Sequence, residues 1–326
     1  MDIVQLGKSG LRVSKICLGT MTFGRESDEA TSFAIMDYFV EQGGTFFDTA
    51  DAYSTGITEE VVGRWIKQRK MRDSIVLATK VFGKMGDGPN DAGLSRIHIQ
   101  RAVDASLKRL GTDVIDLYQI HRWDYDVPIE ETLETLNDLV RQGKVRYVGC
   151  SNVRAYQLER CLHYTEENGL ASFISLQPVF NALNRSLESE LLPLCIERGI
   201  GILSYNPLAG GMLTGKYQRG KDLPKGARLE AYGAYHDRYY TDQAMSLVEQ
   251  FLAAAAARKV SPAQLSLAWV LAEPGISTPI LGARTLEQLK DSLQGLAVKL
   301  SAEERAAVPA MLPGRWVGQD PVYDRV

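Results

Sequence analysis

The sequence predicts a (β/α)8 barrel, and three observations predict it. Eight apolar runs recur along the 326 residues, the first seven beginning about 30 to 40 residues apart, the length of one strand–helix unit. The runs are near-continuously apolar rather than alternating, as strands of a helix-covered parallel sheet, buried on both faces, must be. Between them lie segments whose apolar residues repeat at i, i+3 and i+4, the spacing of one helix face. Eight parallel strands are the number that closes such a barrel. No break in composition and no linker divides the chain, so residues 1–326 are expected to form a single domain.

In chain order, apolar segments at 4–6 and 11–13 flank Gly7-Lys8-Ser9-Gly10, a hairpin signal. A hairpin there is positioned to plug the barrel's N-terminal end. Barrel strands are expected at 15–18, 45–48, 75–79, 114–120, 145–149, 173–177, 200–204 and 276–281. Helices are expected at 32–42 (Phe33, Ile35, Met36, Phe39, Val40), 99–110 (Ala102, Val103, Leu107, Leu110) and 130–142 (Leu133, Leu136, Leu139, Val140). Shorter helical patterns occupy 158–167 and 190–198. Between the seventh and eighth strands the separation more than doubles. It holds a polar loop rich in Gly and Tyr at 209–240, then helical patterns at 242–258 and 262–271. A loop of that length inside a compact domain usually has a function, such as that of a lid.

Bulk properties exclude several classes of function. Hydrophobic residues make up 45% of the chain and charged ones 24%, an ordinary globular balance with ample material for a core. A net charge of -3 and a pI of about 5.9 give no electrostatic footprint for nucleic acid. The basic cluster Lys67, Arg69, Lys70 and Arg72 closes a helical pattern, where cations suit the dipole. No apolar run is long enough to span a membrane, and the N-terminal residues lack a signal-peptide core. Cys17, Cys150, Cys161 and Cys195 are too scattered for a zinc site or a disulfide framework. A reduced, cytoplasmic protein without a metal is the expectation; the sequon at Asn184-Arg185-Ser186 is then a chance match.

Three consecutive strands end in titratable residues: Asp48 on the second, Lys80 on the third and His121 on the fourth, with Tyr53 in the loop after Asp48. The C-terminal ends of barrel strands share one rim, where such folds place their chemistry. A tyrosine is a poor acid at neutral pH, with a pKa near ~10. A neighbouring ammonium favours its phenolate, and a carboxylate keeps that ammonium charged. Tyr53 is therefore expected to donate a proton, with Lys80 tuning it, Asp48 anchoring Lys80, and His121 holding the substrate oxygen. Protonating a carbonyl oxygen needs a matching reaction at carbon, which hydride from a nicotinamide supplies.

The remaining strand ends offer groups for such a cofactor. Ser151, Asn152 and Gln177 can grip a carboxamide, and Tyr205 leads into Asn206-Pro207-Leu208-Ala209-Gly210-Gly211, a loop able to wrap a pyrophosphate. Gly282 and Arg284 precede a helix carrying Gln288 and Asp291, a setting that suits an anion. There is no G-x-G-x-x-G. The P-loop-like Gly210–Lys216 stretch has Tyr217 where a magnesium-binding hydroxyl belongs, so neither nucleotide fingerprint applies.

In this order, the segments LGTMTFG (18–24), FDTADAY (47–53), LATK (77–80), DLYQIH (116–121), YVGCSN (147–152), LQPVFN (176–181), the 205–217 loop and PILGAR (279–284) resemble the aldo-keto reductases. The resemblance is to the branch of bacterial general-stress reductases and potassium-channel β subunits, and it spans nearly the whole chain. It implies a (β/α)8 barrel binding NADPH (NADP+) across its rim and reducing an aldehyde or ketone by direct hydride transfer. It implies a catalytic set of Asp48, Tyr53, Lys80 and His121. Its cofactor contacts fall on Thr20, Met21, Ser151, Asn152, Gln177, Tyr205, Asn206, Pro207, Leu208, Gly210 and Lys216, then Gly282, Arg284, Gln288 and Asp291, with Asp48 beside the nicotinamide. Arg228 is the candidate loop arginine over the cofactor. Arg284 favours NADPH while leaving NADH open.

The pocket wall is expected from Phe23, Tyr53, Phe82, His121, Trp123 and Tyr125, the 209–240 loop and the tail near Trp316, an aromatic set suited to a small or aryl carbonyl. Two other readings share the barrel: a regulatory NADPH-binding subunit with little turnover, and a Schiff-base lyase using Lys80. Substrate identity and oligomeric state are not legible in the residues.

Overall fold

The computed structural model describes residues 1–315. The tail residue Trp316, expected near the pocket, lies outside them. In chain order the elements are β1 (Ile3–Gln5), β2 (Arg12–Ser14), β3 (Cys17–Gly19), α1 (Glu29–Glu41), β4 (Phe46–Asp48), α2 (Ile57–Arg69), β5 (Val76–Val81) and α3 (Arg96–Leu110). They continue with β6 (Ile115–Ile120), α4 (Ile129–Arg141), β7 (Val145–Ser151), α5 (Ala155–Glu167), β8 (Phe173–Gln177), α6 (Leu191–Arg198) and β9 (Gly201–Ile202). Then come α7 (Arg228–Ala231), α8 (Gly233–Tyr239), α9 (Asp242–Ala257), α10 (Pro262–Leu271), β10 (Ile280–Gly282), α11 (Leu286–Leu293) and α12 (Ala302–Ala307).

Eight parallel strands pair in the order β10-β3-β4-β5-β6-β7-β8-β9. The circle closes through less regular bonds: the Ser277 and Thr278 amides donate to the Ile202 carbonyl at 3.1 Å, and the Ile280 amide to that of Ser204 at 2.8 Å. The seventh and eighth strands are thus shorter than the runs that predicted them. Pro279 has no N–H to offer the ladder and interrupts the last strand. The third strand instead runs longer than expected and contains Lys80 rather than ending before it.

Alternation along the strands sorts the core into two layers. Phe47, Leu77, Leu18 and Tyr118 face outward into the helix-covered layer. Cys17, Phe46, Ala78 and Leu117 face inward and form a separate cluster. The β1–β2 hairpin, with Val4 opposite Val13, brings fully buried Leu6 and Val13 into that inner cluster. It therefore seals the end of the barrel opposite the strand C-termini. Burying one such side chain is worth about 1.5–3 kcal/mol.

Helix ends follow local chemistry. Ser261 and Gln264 form a capping box around Pro262 at the start of α10. Ser95 caps α3, which ends at Gly111 in a left-handed conformation. The expected 209–240 loop is more ordered than a loop: a helical turn over Ala209–Thr214 is followed by α7 and α8. Its polar, tyrosine-rich sequence concealed them because α7 and α8 are 4 and 7 residues long, too short for a helical period to register.

Candidate active site

Inside the barrel the next layer above the apolar cluster is polar. Asp48 ends β4 two residues after inward-facing Phe46, and Lys80 follows inward-facing Ala78 by the same step on β5. Lys80 is fully buried and Asp48 is 2% exposed. The Lys80 ammonium donates to Asp48 Oδ2 at 2.6 Å, to the Thr49 carbonyl at 2.8 Å and to the Tyr53 phenol oxygen at 3.2 Å. Three donors meet three acceptors. Because the Tyr53 oxygen accepts from Lys80, its own O–H is left to donate elsewhere. Asp48 Oδ1 accepts from the side-chain amides of Gln177 at 2.8 Å and Gln119 at 3.2 Å.

Burial works against the Lys80 charge, but Asp48 and Tyr53 overcome it and the net shift is upward, so Lys80 stays an ammonium. Burial likewise pushes the Tyr53 phenol above its usual range, and Lys80 offsets only part of that. Lys80 acts downward on Tyr53, the direction its charge predicts, but desolvation is the larger effect. His121 faces Tyr53 edge-on with ring centroids 5.8 Å apart. Burial first, then Lys80 and Arg122, push it down to about 3, so it is a neutral imidazole at physiological pH. The set can therefore present a phenol O–H and a neutral imidazole to one oxygen atom.

A cavity of about 720 Å³ opens above this layer. Tyr53, His121 and Asp48 line its floor; Lys80 lies beneath it. Every residue proposed for cofactor contact also lines it: Thr20, Met21, Ser151, Asn152, Gln177, Tyr205, Asn206, Pro207, Leu208, Gly210, Lys216, Arg228, Gly282, Arg284, Gln288 and Asp291. Strained backbone marks this rim. Asn152, Asn206 and Ala209 all have φ between 49° and 62°, a conformation that non-glycine residues keep only where surroundings enforce it.

Lys216, Arg228 and Arg284 bring three cations to this cavity. Burial, reinforced by Arg284 and Arg228, pushes Lys216 down to about 8. An added Cβ at Gly211 would run into the Lys216 side chain, so glycine there lets the lysine lie across the turn. A cluster of repelling cations in a part-buried cleft fits an anion such as phosphate. Asp291 is otherwise engaged, accepting from Ser261 at 2.9 Å and Gln264 at 2.8 Å. Gln288 accepts from the Arg284 amide.

The proposed pocket wall is not gathered in the same way. Phe23 is fully buried in the outer core, and its carbonyl accepts from Thr58; it does not line the cavity. The turn after β3 folds it inward. Phe82 and Trp123 pack on the outer core, with the Arg122 guanidinium over the Phe82 ring. Tyr125 is 57% exposed, its hydroxyl taken by Gln157. Besides Tyr53, His121 and Tyr205, the aromatic lining comes from the expected 209–240 segment, through Tyr232 and Tyr235 with Arg238, spaced i and i+3 on α8 and its N-cap. Arg228 stands over both Tyr232 and Tyr235, and the Tyr232 hydroxyl donates to Glu26. Gln119 was also missed, although it precedes His121 by two residues and faces inward.

Residues 15–312 match the Aldo/keto reductase family. The "Uncharacterized oxidoreductase YrpG" of Bacillus subtilis is 38% identical over 326 residues, covering 96% of this chain and 97% of the relative. "Norsolorinic acid reductase B" of Dothistroma septosporum is 37% identical, covering 94% and 80%. "Probable voltage-gated potassium channel subunit beta" of Arabidopsis thaliana is 37% identical, covering 91% and 92%.

Proposed function

Since this chain belongs to the aldo/keto reductase family, we propose that it is an NADPH-dependent reductase of aldehydes and ketones, with Tyr53 as the proton donor. The observation that carries this is the Lys80 ammonium bonded to the Tyr53 oxygen. The chemistry a reduced nicotinamide would supply there is hydride for the carbonyl carbon. Ser151, Asn152 and Gln177 would hold its carboxamide, Tyr205 its ring, and Lys216, Arg228 and Arg284 its phosphates.

The chain's own groups handle the oxygen. His121, neutral, donates to the carbonyl oxygen and orients it. Tyr53 delivers its free phenol hydrogen as negative charge builds there, and Lys80 stabilises the phenolate left behind. Asp48 compensates Lys80, whose permanent charge argues against a Schiff base, since that needs a neutral amine. Tyr232 and Tyr235 support an aryl or small carbonyl as substrate. A cytoplasmic location is part of this reading, supported by four free, buried cysteines; among the described residues no helix is long and apolar enough to cross a membrane.

The test is NADPH oxidation with a reactive aldehyde such as 4-nitrobenzaldehyde. Turnover supports the proposal. Tight NADPH binding without turnover would instead favour a regulatory subunit, the second reading, which the resemblance to a channel β subunit supports.

A further inference from the structure

One buried acid has no part in this chemistry. Asp51 is fully buried in the turn that leads to Tyr53; neither carboxyl oxygen has a hydrogen bond of good geometry among the described residues, and the donors turned toward it are the backbone amides of Ala52 and Phe82. Its backbone amide is tied to the Lys80 carbonyl at 3.2 Å. The titratable and charged groups facing it are Glu59 from α2, Arg109 from α3 and Tyr118 from β6. Lys80 sends its ammonium to Asp48 instead.

This cluster has two acids and one cation. Glu59, also fully buried, already holds Arg109 at 2.7 Å and accepts from Thr79 at 2.6 Å. Arg109 and the Ala52 and Phe82 amides offset a second carboxylate only in part, and an incompletely compensated buried charge is costly. The turn above is itself strained, with Ser54 at φ 49° and Thr55 at φ 52° before Gly56 at φ 92°. Arg109 braces it: a Cβ added at Gly56 would stand 2.7 Å from Arg109 Cδ. Cluster and turn therefore share Arg109.

We propose that Asp51 is a positioning residue for Tyr53: as a neutral carboxylic acid it leaves Arg109 with Glu59 and against the turn, and on ionising it competes for Arg109 and loosens the turn. Burial first, then Glu59, push Asp51 up to about 7, so the exchange falls in the neutral range. Tyr53, shifted upward, stays protonated there, and His121, at about 3, stays neutral. Neither of them supplies a neutral-range change in kcat, and Lys216, lowered to about 8, faces the cofactor side of the cavity; the Asp51→Asn comparison separates the Asp51 contribution.

The inference rests on Tyr53 being the proton donor, and its test has one arm that does not. In the first arm, kcat at saturating NADPH and 4-nitrobenzaldehyde falls by up to about tenfold from about pH 6 to pH 8 in the parent protein. Asp51→Asn matches the parent at the acid end and removes the fall. Glu59→Gln, which frees Arg109 for Asp51, removes it too. The second arm is thermal melting against pH. A folded pKa above the unfolded one means the unfolded state binds fewer protons between about 4 and 7, so stability falls as pH rises through that window. The melting temperature of Asp51→Asn therefore gains on the parent across that window and levels off above it. Identical kcat profiles in parent and variant, or a constant melting difference, would overturn the proposal. A parent without turnover at any pH refutes the reductase reading alone, because melting still reports the Asp51 charge.

Discussion

The ammonium of Lys80 lies 3.2 Å from the phenol oxygen of Tyr53, and the two residues come from different elements, a strand and the loop after its neighbour. That contact directs the Tyr53 O–H away from the lysine and places a permanent positive charge beside the oxygen that would become a phenolate.

Tyr53→Phe keeps the ring and removes the donor. Carbonyl reduction is expected to fall by about 10²-fold or more, while NADPH affinity, followed by quenching of intrinsic fluorescence, stays within about twofold of the parent because the cationic end of the cavity is untouched. Turnover near the parent level would remove Tyr53 from the donor role.

Lys80→Met leaves Asp48 buried without its cation. Breaking such a pair costs about 3–5 kcal/mol, read as a lower urea midpoint, and turnover is lost with it. Unchanged stability would mean that Gln119 and Gln177 alone satisfy Asp48.

Lys216 gives a second pH signal, distinct from that of Asp51. Its pKa is pushed down to about 8, so the free protein loses a cation as pH rises through that value. The kcat/KM for NADPH, which reports the free protein, is expected to fall above it while kcat holds. Lys216→Met should bind NADPH more weakly at neutral pH and show no such limb.

Leu6→Ala tests the hairpin as a seal. The fully buried side chain belongs to the inner cluster, and its truncation is expected to cost about 2–5 kcal/mol with kcat unchanged, since the catalytic layer lies at the other end of the barrel. A loss below about 1 kcal/mol would show that the barrel bottom does not depend on the hairpin.

The sequence by itself determined the barrel and the polar residues at its rim. Apolar runs and helical spacing follow from burial, which acts on every residue of a strand or helix in turn, so strands, hairpin and most helices were legible within a few residues. Asp48, Lys80 and His121 were legible because each stands at or near the end of such a run. Tertiary structure decided what has no local period. Phe23 looked like a pocket residue, but the turn after β3 carries it into the core; the 209–240 segment was legible as pocket wall, and only the fold shows that Tyr232 and Tyr235 are the tyrosines of it that reach the cavity, from helices too short to register in the sequence. The tuning of Tyr53 was decided there too, because desolvation depends on everything packed around a group. Asp51 is the sharpest case: three residues after Asp48 in the sequence it reads as a loop residue, and only the folded chain buries it against Glu59 and Arg109.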